Sequence, residues 1–301
     1  MLLSQSRSAI VVLALGLVRN IVCAPCTSDD ITNMDVIGCD CPSQFPPATS
    51  LTCTGPSQLC TQTCGNPQMT IQSRAMLTQC GQGCITANSN CNGCYLWFHS
   101  LCSCIRDLQH GSTTTGCMSS GNLNPGHPDQ PVWMLLNARD LITTTQQLPG
   151  ILQLNNARDP DGGWRLGQQT YDRARGSLAM NSVATRSEEQ VHIHVCDIPA
   201  SKIRDKLSSL WRGNYATVQS VPLTTAEGFK PGSEMSCRVS LNNGAVIDMA
   251  RDIDRYLGGL VTPQSCAAYY VGAGVITDAN DYTWACVTTG TRSAEELFCH
   301  T

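Results

Sequence analysis

The residues with the clearest chemical potential are His192 and His194, which stand two positions apart within residues 190–196. β-Branched residues at the alternate positions predict a β-strand, because such residues favour strands and successive strand side chains point to opposite faces. Gln190 and both imidazoles therefore share one face, which we expect to be exposed. The opposite, buried face carries the β-branched residues Val191, Ile193 and Val195. Two adjacent imidazoles suit phosphate or metal chemistry.

Three roles compete for this histidine pair. In the first, the imidazoles are ordinary strand histidines with satisfied hydrogen bonds. A metal site needs a third ligand, and Asp197 lies one residue too far along for the H-x-H-x-D-H spacing of metallo-hydrolases. A nucleophile needs no third ligand: a neutral imidazole attacks phosphorus and later yields the group to water, while its neighbour stabilises phosphate charge. We therefore expect no metal and no other cofactor.

The charge of the chain argues against one class of partner. The sequence has 301 residues, a formal net charge of −4 and 14% charged residues. A nucleic-acid-binding protein usually carries a basic patch or stripe, so we expect no nucleic-acid partner. The length is sufficient for two domains.

An apolar run at residues 9–18, preceded by Arg7, is typical of a secretory signal peptide. Ten helical residues rise about 15 Å, half the thickness of the bilayer core, so this run is too short to span a membrane. We expect a signal peptide over residues 1–24, with an uncleaved anchor as the alternative. The later sequence predicts no transmembrane segment, and the mature protein is expected to be secreted and extracellular.

Cysteine is the most unusual component of the composition, with 19 residues. Cleavage that removes Cys23 leaves an even number that can form nine disulfides. Thirteen of these cysteines lie between Cys26 and Cys117 and five lie beyond. Because both groups are odd, complete pairing requires at least one disulfide between the two regions. Zinc is the alternative for Cys91-x-x-Cys94 and Cys102-x-Cys104.

Turn-forming residues at 111–126 indicate a domain boundary, with a Cys-rich disulfide region over 25–118 and a second domain over 119–301. Apolar periodicity predicts helices at 91–108, 131–144, 197–211 and 244–257, and strands at 177–183, 269–277 and 282–288. We predict an α+β fold around an antiparallel sheet, preceded by a small, mostly helical disulfide-rich region.

Several sequence blocks occur in a characteristic order. They are Trp133 with residues 138–140, residues 177–182, Arg186, the 192–194 core, residues 198–207 and, more loosely, 270–276 with 284–288. In this order they resemble the CDP-diacylglycerol pyrophosphatase family, a branch of the histidine-triad (HIT)-like superfamily. The resemblance covers most of residues 130–290 and leaves the Cys-rich region without a counterpart.

The resemblance implies a HIT-like antiparallel sheet and a hydrolase that cleaves a pyrophosphate bond in a small-molecule nucleotide or nucleotide-lipid substrate. The type reaction converts CDP-diacylglycerol into CMP and phosphatidate. By this match His192 is the covalent nucleophile and His194 assists it. The residues matched to substrate contacts are Gln190, Asn181, Ser182 and Arg186. Asn181 as a strand-end residue and Arg186 as a solvated loop residue stay open as alternatives.

Gln190 is the one departure from the H-x-H-x-H pattern of the superfamily, where the first position is a histidine. Glutamine donates and accepts hydrogen bonds but carries no proton charge. We expect Gln190→His to raise turnover, or at least not to lower it. The alternative function is a non-enzymatic extracellular Cys-rich binding protein with a degenerate HIT-like scaffold. The sequence identifies no partner for the Cys-rich region.

Overall fold

The computed structural model describes residues 24–41, 96–112, 116–136, 140–186, 190–197, 200–260 and 266–300. The strands are β1 (Met118–Ser119), β2 (Trp133–Leu136), β3 (Leu141–Thr144), β4 (Ser177–Met180), β5 (Ile193–Cys196), β6 (Gln219–Val221), β7 (Met235–Val239), β8 (Gly272–Thr277) and β9 (Thr283–Thr288). They form one nine-stranded sheet in the order β1-β2-β3-β5-β4-β8-β9-β7-β6. Every pair of neighbouring strands in it is antiparallel.

The helices are α1 (Ser28–Thr32), α2 (Cys102–Gln109), α3 (Gly162–Thr170), α4 (Ser201–Ser208), α5 (Ala250–Gly258), α6 (Cys266–Tyr269) and α7 (Ala294–Cys299). A π-helical segment, Leu96–Leu101, runs directly into α2, and short 3₁₀ turns occupy Ile151–Asn156, Arg212–Tyr215 and Thr225–Glu227. The predicted α+β class with an antiparallel sheet is therefore confirmed, and the disulfide-rich region before the main part of the sheet contains helices.

Both faces of the central strands of the sheet are buried. On one face the strands form a single hydrophobic cluster with α3, α5 and the 3₁₀ turn at Ile151–Asn156. The other face is covered by two separate layers. The N-terminal cover, residues 24–41 and 96–112, packs on β2 and β3, and the C-terminal cover, α4 and α7, packs on β4, β8 and β9.

The N-terminal cover is attached to the sheet by apolar contacts and one buried hydrogen bond. Met134, Leu136 and Leu141 share a hydrophobic cluster with it, and Trp97 Nε1 donates to the Thr144 carbonyl at 3.1 Å. Its disulfides are Cys26–Cys39, Cys41–Cys102 and Cys104–Cys117. The zinc alternative is therefore wrong for Cys102-x-Cys104, whereas Cys91 and Cys94 lie outside the described residues.

Two further disulfides stabilise the rest of the chain. Cys196–Cys299 joins β5 to α7, and Cys237–Cys286 joins β7 to β9. Four of the five later cysteines thus pair with one another. If every thiol is paired, Cys266 is the later cysteine left to form the predicted bridge between the two regions. The side chain of Cys266 lies outside the part of the molecule that the structure describes.

The predicted helix at 131–144 is wrong, because the described residues there form the β2–β3 hairpin. Trp133 and Leu135 pack in the cluster on one face, while Met134 and Leu136 pack in the cluster beneath the N-terminal cover. Burial on both faces produces a nearly continuous apolar run, which periodicity alone does not distinguish from a helix. The Ile-Thr-Thr-Thr sequence that follows favours a strand.

The helix predicted at 244–257 begins later, at Ala250. Asp161 accepts hydrogen bonds from the backbone N–H groups of Met249 and Ala250 at 2.6 and 2.7 Å, and so supplies the missing cap from a distant loop. Ile247, which precedes the helix, donates its backbone N–H to Gln168 Oε1 at 2.9 Å. This hydrogen bond holds Ile247 outside the helix.

The other predicted elements appear with different limits, most of them shorter. The helix at 91–108 is present over its described part, and so are the helix within 197–211 and the three predicted strands. The predicted boundary after residue 118 falls inside β1, which pairs with β2. The signal peptide at 1–24 lies almost wholly outside the described residues. Among those described, no helix has the length and apolar character needed to cross a bilayer.

Candidate active site

The histidine strand crosses the sheet where the two covers meet. His194 on β5 lies opposite Leu141 of β3 on one side and Ala179 of β4 on the other. Leu141 belongs to the cluster of the N-terminal cover, and Ala179 to that of the C-terminal cover. The imidazoles therefore occupy a narrow strip between two apolar layers.

This strip is more enclosed than the sequence predicts. Val191 and Ile193 are buried as expected, but the histidine face is not exposed: the exposed fractions are 5% for His192 and 0% for Gln190. The prediction of an open face is wrong because the covers on either side leave little of that face uncovered. The side chain of His194 is 20% exposed.

His192 is held in one tautomer by the backbone of its own segment. Its Nδ1 lies 2.7 Å from the carbonyl oxygen of Gln190. A carbonyl only accepts, so Nδ1 carries the proton and Nε2 keeps its lone pair. Burial, and secondarily the neighbouring His194, lower the pKa of His192 from 6.5 to about 4. At neutral pH this imidazole is an uncharged nucleophile or base.

His194 lies beside it, with the two ring centroids 5.1 Å apart in an edge-on arrangement. Its Nε2 is 3.5 Å from Glu295 Oε2 and 3.5 Å from Asn181 Nδ2. A carboxylate favours a proton on the facing nitrogen, so Nε2–H is the preferred tautomer. Burial is the main cause that lowers the pKa of His194 to about 4, and His300 adds to it.

Glu295 is the residue of this site that sequence reasoning missed. Asn181 Nδ2 donates to its carboxylate at 3.0 Å, and the backbone N–H of Glu295 donates to Asn181 Oδ1 at 3.0 Å. This reciprocal pair links the end of β4 to the first turn of α7. The sequence carries a signal for the helix start, since Ser293 caps α7 before two glutamates, but none that relates Glu295 to the histidines.

Ser182 begins a turn that brings Arg186 toward the histidines. Its carbonyl accepts hydrogen bonds from Thr185 N at 3.1 Å and Arg186 N at 2.9 Å. Its hydroxyl lies 3.0 Å from that of Thr185. Arg186 is 4% exposed, and its charge is one of the causes that lower the pKa of His192. A side chain at Gly150 would collide with this guanidinium, so Arg186 keeps its position only with a glycine at residue 150.

A small depression of about 10 Å³ brings four of the six predicted site residues together. The predicted residues that line it are Asn181, Arg186, Gln190 and His192. Ser182 supports it through the turn to Arg186, and His194 lies next to His192. The depression combines an imidazole, a guanidinium and an amide, a set of groups suited to a phosphate.

Both the oxygen and the nitrogen of the Gln190 side-chain amide form hydrogen bonds. Its Oε1 accepts from Leu148 N at 3.2 Å, and its Nε2 donates to the Gln146 carbonyl at 3.0 Å. The same Nε2 lies 3.3 Å from the Thr144 carbonyl and from Thr143 Oγ1. These contacts hold the loop after β3 against the histidine strand, while the Gln190 backbone carbonyl orients His192.

Metal-ligating side chains come together elsewhere in the described part of the chain. Cys26, Cys41 and Cys102 have sulfur atoms within 4.8 Å of one another. Two of them form one disulfide and the third pairs with Cys39. Sulfur in a disulfide has no thiolate to offer a metal ion, so this cluster is a packing feature of the N-terminal cover.

Comparison with known proteins adds no family to these observations. The chain matches no protein-family model, and a search of curated proteins finds no match to it.

Proposed function

We propose that this protein is a secreted phosphohydrolase that cleaves a pyrophosphate bond of a nucleotide-containing substrate through His192. CDP-diacylglycerol, hydrolysed to CMP and phosphatidate, is the type substrate of the family that the sequence resembles. One observation carries the proposal: the 2.7 Å contact between His192 Nδ1 and the Gln190 carbonyl leaves the Nε2 lone pair available on a residue that lines the depression together with Arg186 and Asn181.

In the first step the Nε2 lone pair of His192 attacks the nucleotidyl phosphorus. The new N–P bond forms as the bridging P–O bond breaks, and its electron pair leaves with the departing phosphate. When substrate binds, the Nε2–H of His194 exchanges the Glu295 carboxylate, 3.5 Å away, for a phosphate oxygen on the same side of the strand. Arg186 and the Asn181 amide stabilise the charge on the oxygens of the attacked phosphorus.

In the second step water attacks the phosphorus of the nucleotidyl-histidine. The N–P bond breaks, its electron pair returns to Nε2 of His192, and the proton of the water passes to solvent. The Nδ1–H of His192 donates to the Gln190 carbonyl throughout, so the imidazole keeps its orientation between turnovers.

The size of the depression favours contact with the phosphate alone. It has a volume of about 10 Å³, roughly the room of one water molecule, which is far below the roughly 300–1,000 Å³ of pockets that enclose drug-sized ligands. The phosphate oxygens therefore contact the mouth of the depression, and the nucleoside and the leaving group lie along the surface outside. The five described disulfides favour an oxidising compartment, in agreement with secretion.

The test is hydrolysis of CDP and ADP compounds by the purified, oxidised protein. We expect His192→Ala to lose several orders of magnitude in turnover, as enzymes do when an obligatory nucleophile is removed, with unchanged circular dichroism. His127→Ala is the matched control, because the His127 side chain is 56% exposed. Wild-type turnover in His192→Ala would refute the role of His192.

A chelator separates this mechanism from a metal-dependent one. Because the attacking group is an imidazole, EDTA should leave the initial rate within about twofold. Loss of activity on EDTA treatment, with recovery on addition of zinc, would instead support the metal role of the histidine pair.

The burial of the strip favours a second candidate, a non-catalytic extracellular module. His192 is 5% exposed and Gln190 is fully buried with its amide engaged, as in a strand whose polar residues serve the fold. The same assays decide between the candidates, since absence of turnover on every CDP and ADP compound would favour the binding module.

A further inference from the structure

A second pocket with several cations lies on the other side of Glu295 from the histidine pair. It is bounded by α4, the loop before β7 and α7, and has a volume of about 70 Å³. Its polar and charged lining comprises Lys202, Lys230, Ser233, Arg292, Glu296 and His300. We call it the cationic pocket. The chain contains only three lysines in all, and two of them line this cavity.

The charges in the cationic pocket do not balance. Glu296 pairs with Lys230 and lies 3.7 Å from Arg292 Nη1, so one carboxylate serves two cations. These cations, Lys230 first, hold the pKa of Glu296 below its usual range, and the carboxylate is ionised at neutral pH. Lys202 donates to the Gly228 carbonyl at 3.0 Å, a neutral partner, and among the described residues it forms no salt bridge with a carboxylate.

Donors enter this pocket from three different elements. Lys202 comes from α4, Lys230 from the loop before β7, and Arg292 from the segment before α7. Arg292 Nε is held toward the Pro231 carbonyl at 3.2 Å. Cationic donors that converge from separate directions suit a tetrahedral oxyanion, which accepts hydrogen bonds on several oxygens at once.

Glu295 connects the cationic pocket to the histidine pair. Its Oε1 lies 3.7 Å from His300 Nε2 at the pocket, and its Oε2 lies 3.5 Å from His194 Nε2. A single carboxylate thus separates the two sites. A substrate whose phosphorus reaches His192 can extend a further anionic group past this carboxylate to the lysines.

We propose that the cationic pocket binds a further phosphate group of the substrate, separate from the pyrophosphate that His192 attacks. This inference rests on the proposed function, which it deepens: the substrate carries, besides its pyrophosphate group, another phosphate held by Lys202, Lys230 and Arg292. Substrates whose only phosphates are those of the pyrophosphate lose these contacts and bind more weakly. The attacked bond and the chemistry of the histidines are unchanged.

Inorganic phosphate is the probe, followed through the imidazole NMR signals of His300 and His194, each assigned with its own His→Gln variant. In the full-length oxidised protein, we expect phosphate to shift the His300 signal with saturation. Arg292→Gln should weaken the phosphate affinity measured at His300 about tenfold, the loss expected for one hydrogen bond to a charged group. Lys230→Gln should act in the same direction. The affinity measured at His194 should stay within about twofold.

Arg158→Gln is the matched control, because it removes the same charge from a side chain that is 61% exposed and lies on another part of the surface. An equal loss of affinity in Arg158→Gln and Arg292→Gln would refute a defined site and indicate a general effect of net charge. A His300 signal that does not respond to phosphate, or that responds equally to acetate, would also refute the proposal.

The two proposals fail in different ways. If phosphate binds at His300 but no phosphoanhydride is hydrolysed, the cationic pocket stands and the proposed function fails. If His192-dependent hydrolysis occurs while His300 is insensitive to phosphate, the proposed function stands and the second phosphate site is refuted.

Discussion

The two covers bury adjacent parts of the same sheet face, but they differ in what they bring to the histidines. The N-terminal cover contributes disulfides, aromatic side chains and apolar contacts. The C-terminal cover contributes the Glu295 carboxylate, which contacts both Asn181 and His194. The side-chain partners described for His194 thus lie at the end of β4 and on α7. One cover excludes water from the strip, and the other places charge within it.

Removal of one disulfide from each cover tests this difference most strongly. The Cys196→Ala/Cys299→Ala variant opens a sequence separation of 103 residues, for which chain entropy predicts a loss of about 4.7 kcal/mol. It should also lower turnover, because α7 and Glu295 are no longer tied to β5. The Cys26→Ala/Cys39→Ala variant opens a separation of 13 residues and should lose about 3 kcal/mol with unchanged turnover.

Urea unfolding gives both free energies, and steady-state kinetics gives both turnover numbers. Equal losses of turnover in the two double variants would show that the covers do not differ in the way described.

The pH dependence of stability tests how far both covers enclose the histidines. The pKa values of His192 and His194 are lowered from 6.5 to about 4. Between these pH values the unfolded chain binds more protons than the folded one, so stability falls with acidification through this window. The loss of folding free energy begins below about pH 6.5 and reaches its full value, about 3 kcal/mol for each histidine, below about pH 4.

The measurement is the free energy of unfolding at pH 7 and pH 4.5 for the wild type and for His192→Asn/His194→Asn. The wild type should lose several kcal/mol more than the double variant on acidification, because carboxyl groups elsewhere contribute equally to both. Parallel pH profiles for the two proteins would mean that the imidazoles are solvated.

Gln190→His tests the strip itself. For this variant the structure leads us to expect the opposite of what the sequence predicted. Gln190 is fully buried and its amide serves Leu148, Gln146 and the Thr143–Thr144 segment. A neutral imidazole has one donor and one acceptor, so some of these backbone groups lose their partner at about 1–3 kcal/mol each. We expect lower stability and lower turnover. Gln130→His, at an exposed position, is the control, and higher turnover in Gln190→His would restore the original expectation.

Glu295→Gln should have the smallest effect, about tenfold or less on kcat, or roughly 1.4 kcal/mol of transition-state stabilisation. The charge of Glu295 is one cause that raises the pKa of His192. Its removal should therefore move the acid limb of the kcat profile to lower pH. Glu234→Gln, on an exposed residue, should leave that limb in place. A shift of equal size in both variants would show that Glu295 has no specific effect on His192.

Short-range pattern predicted the parts of the molecule that depend on neighbouring residues. The alternation around Ile193 identified the histidine strand, and the ordered sequence blocks identified Asn181, Arg186 and His192, which meet in one depression. The hairpin at β2–β3 was missed because its apolar residues serve two clusters at once. The burial of Gln190 was missed because its partners at Thr143–Leu148 lie more than 40 residues earlier in the sequence.

The role of Glu295 could not be predicted from the local sequence pattern for the same reason. It lies 114 residues after Asn181, its hydrogen-bond partner, and the spacing of apolar residues contains no information on which helix start meets which strand end. The antiparallel order of β4, β5 and β8 creates that meeting, and strand order follows from the packing of the whole sheet.

The disulfide between β5 and α7 has a consequence for the timing of biosynthesis. Its two cysteines are 103 residues apart, and synthesis at about 5–20 residues per second separates their appearance by roughly 5–20 s. During this interval the histidine strand has been made, but the helix that brings Glu295 has not. The strip is therefore completed only after β6 to β9 have been translated, and a nascent chain carries its histidines without their carboxylate.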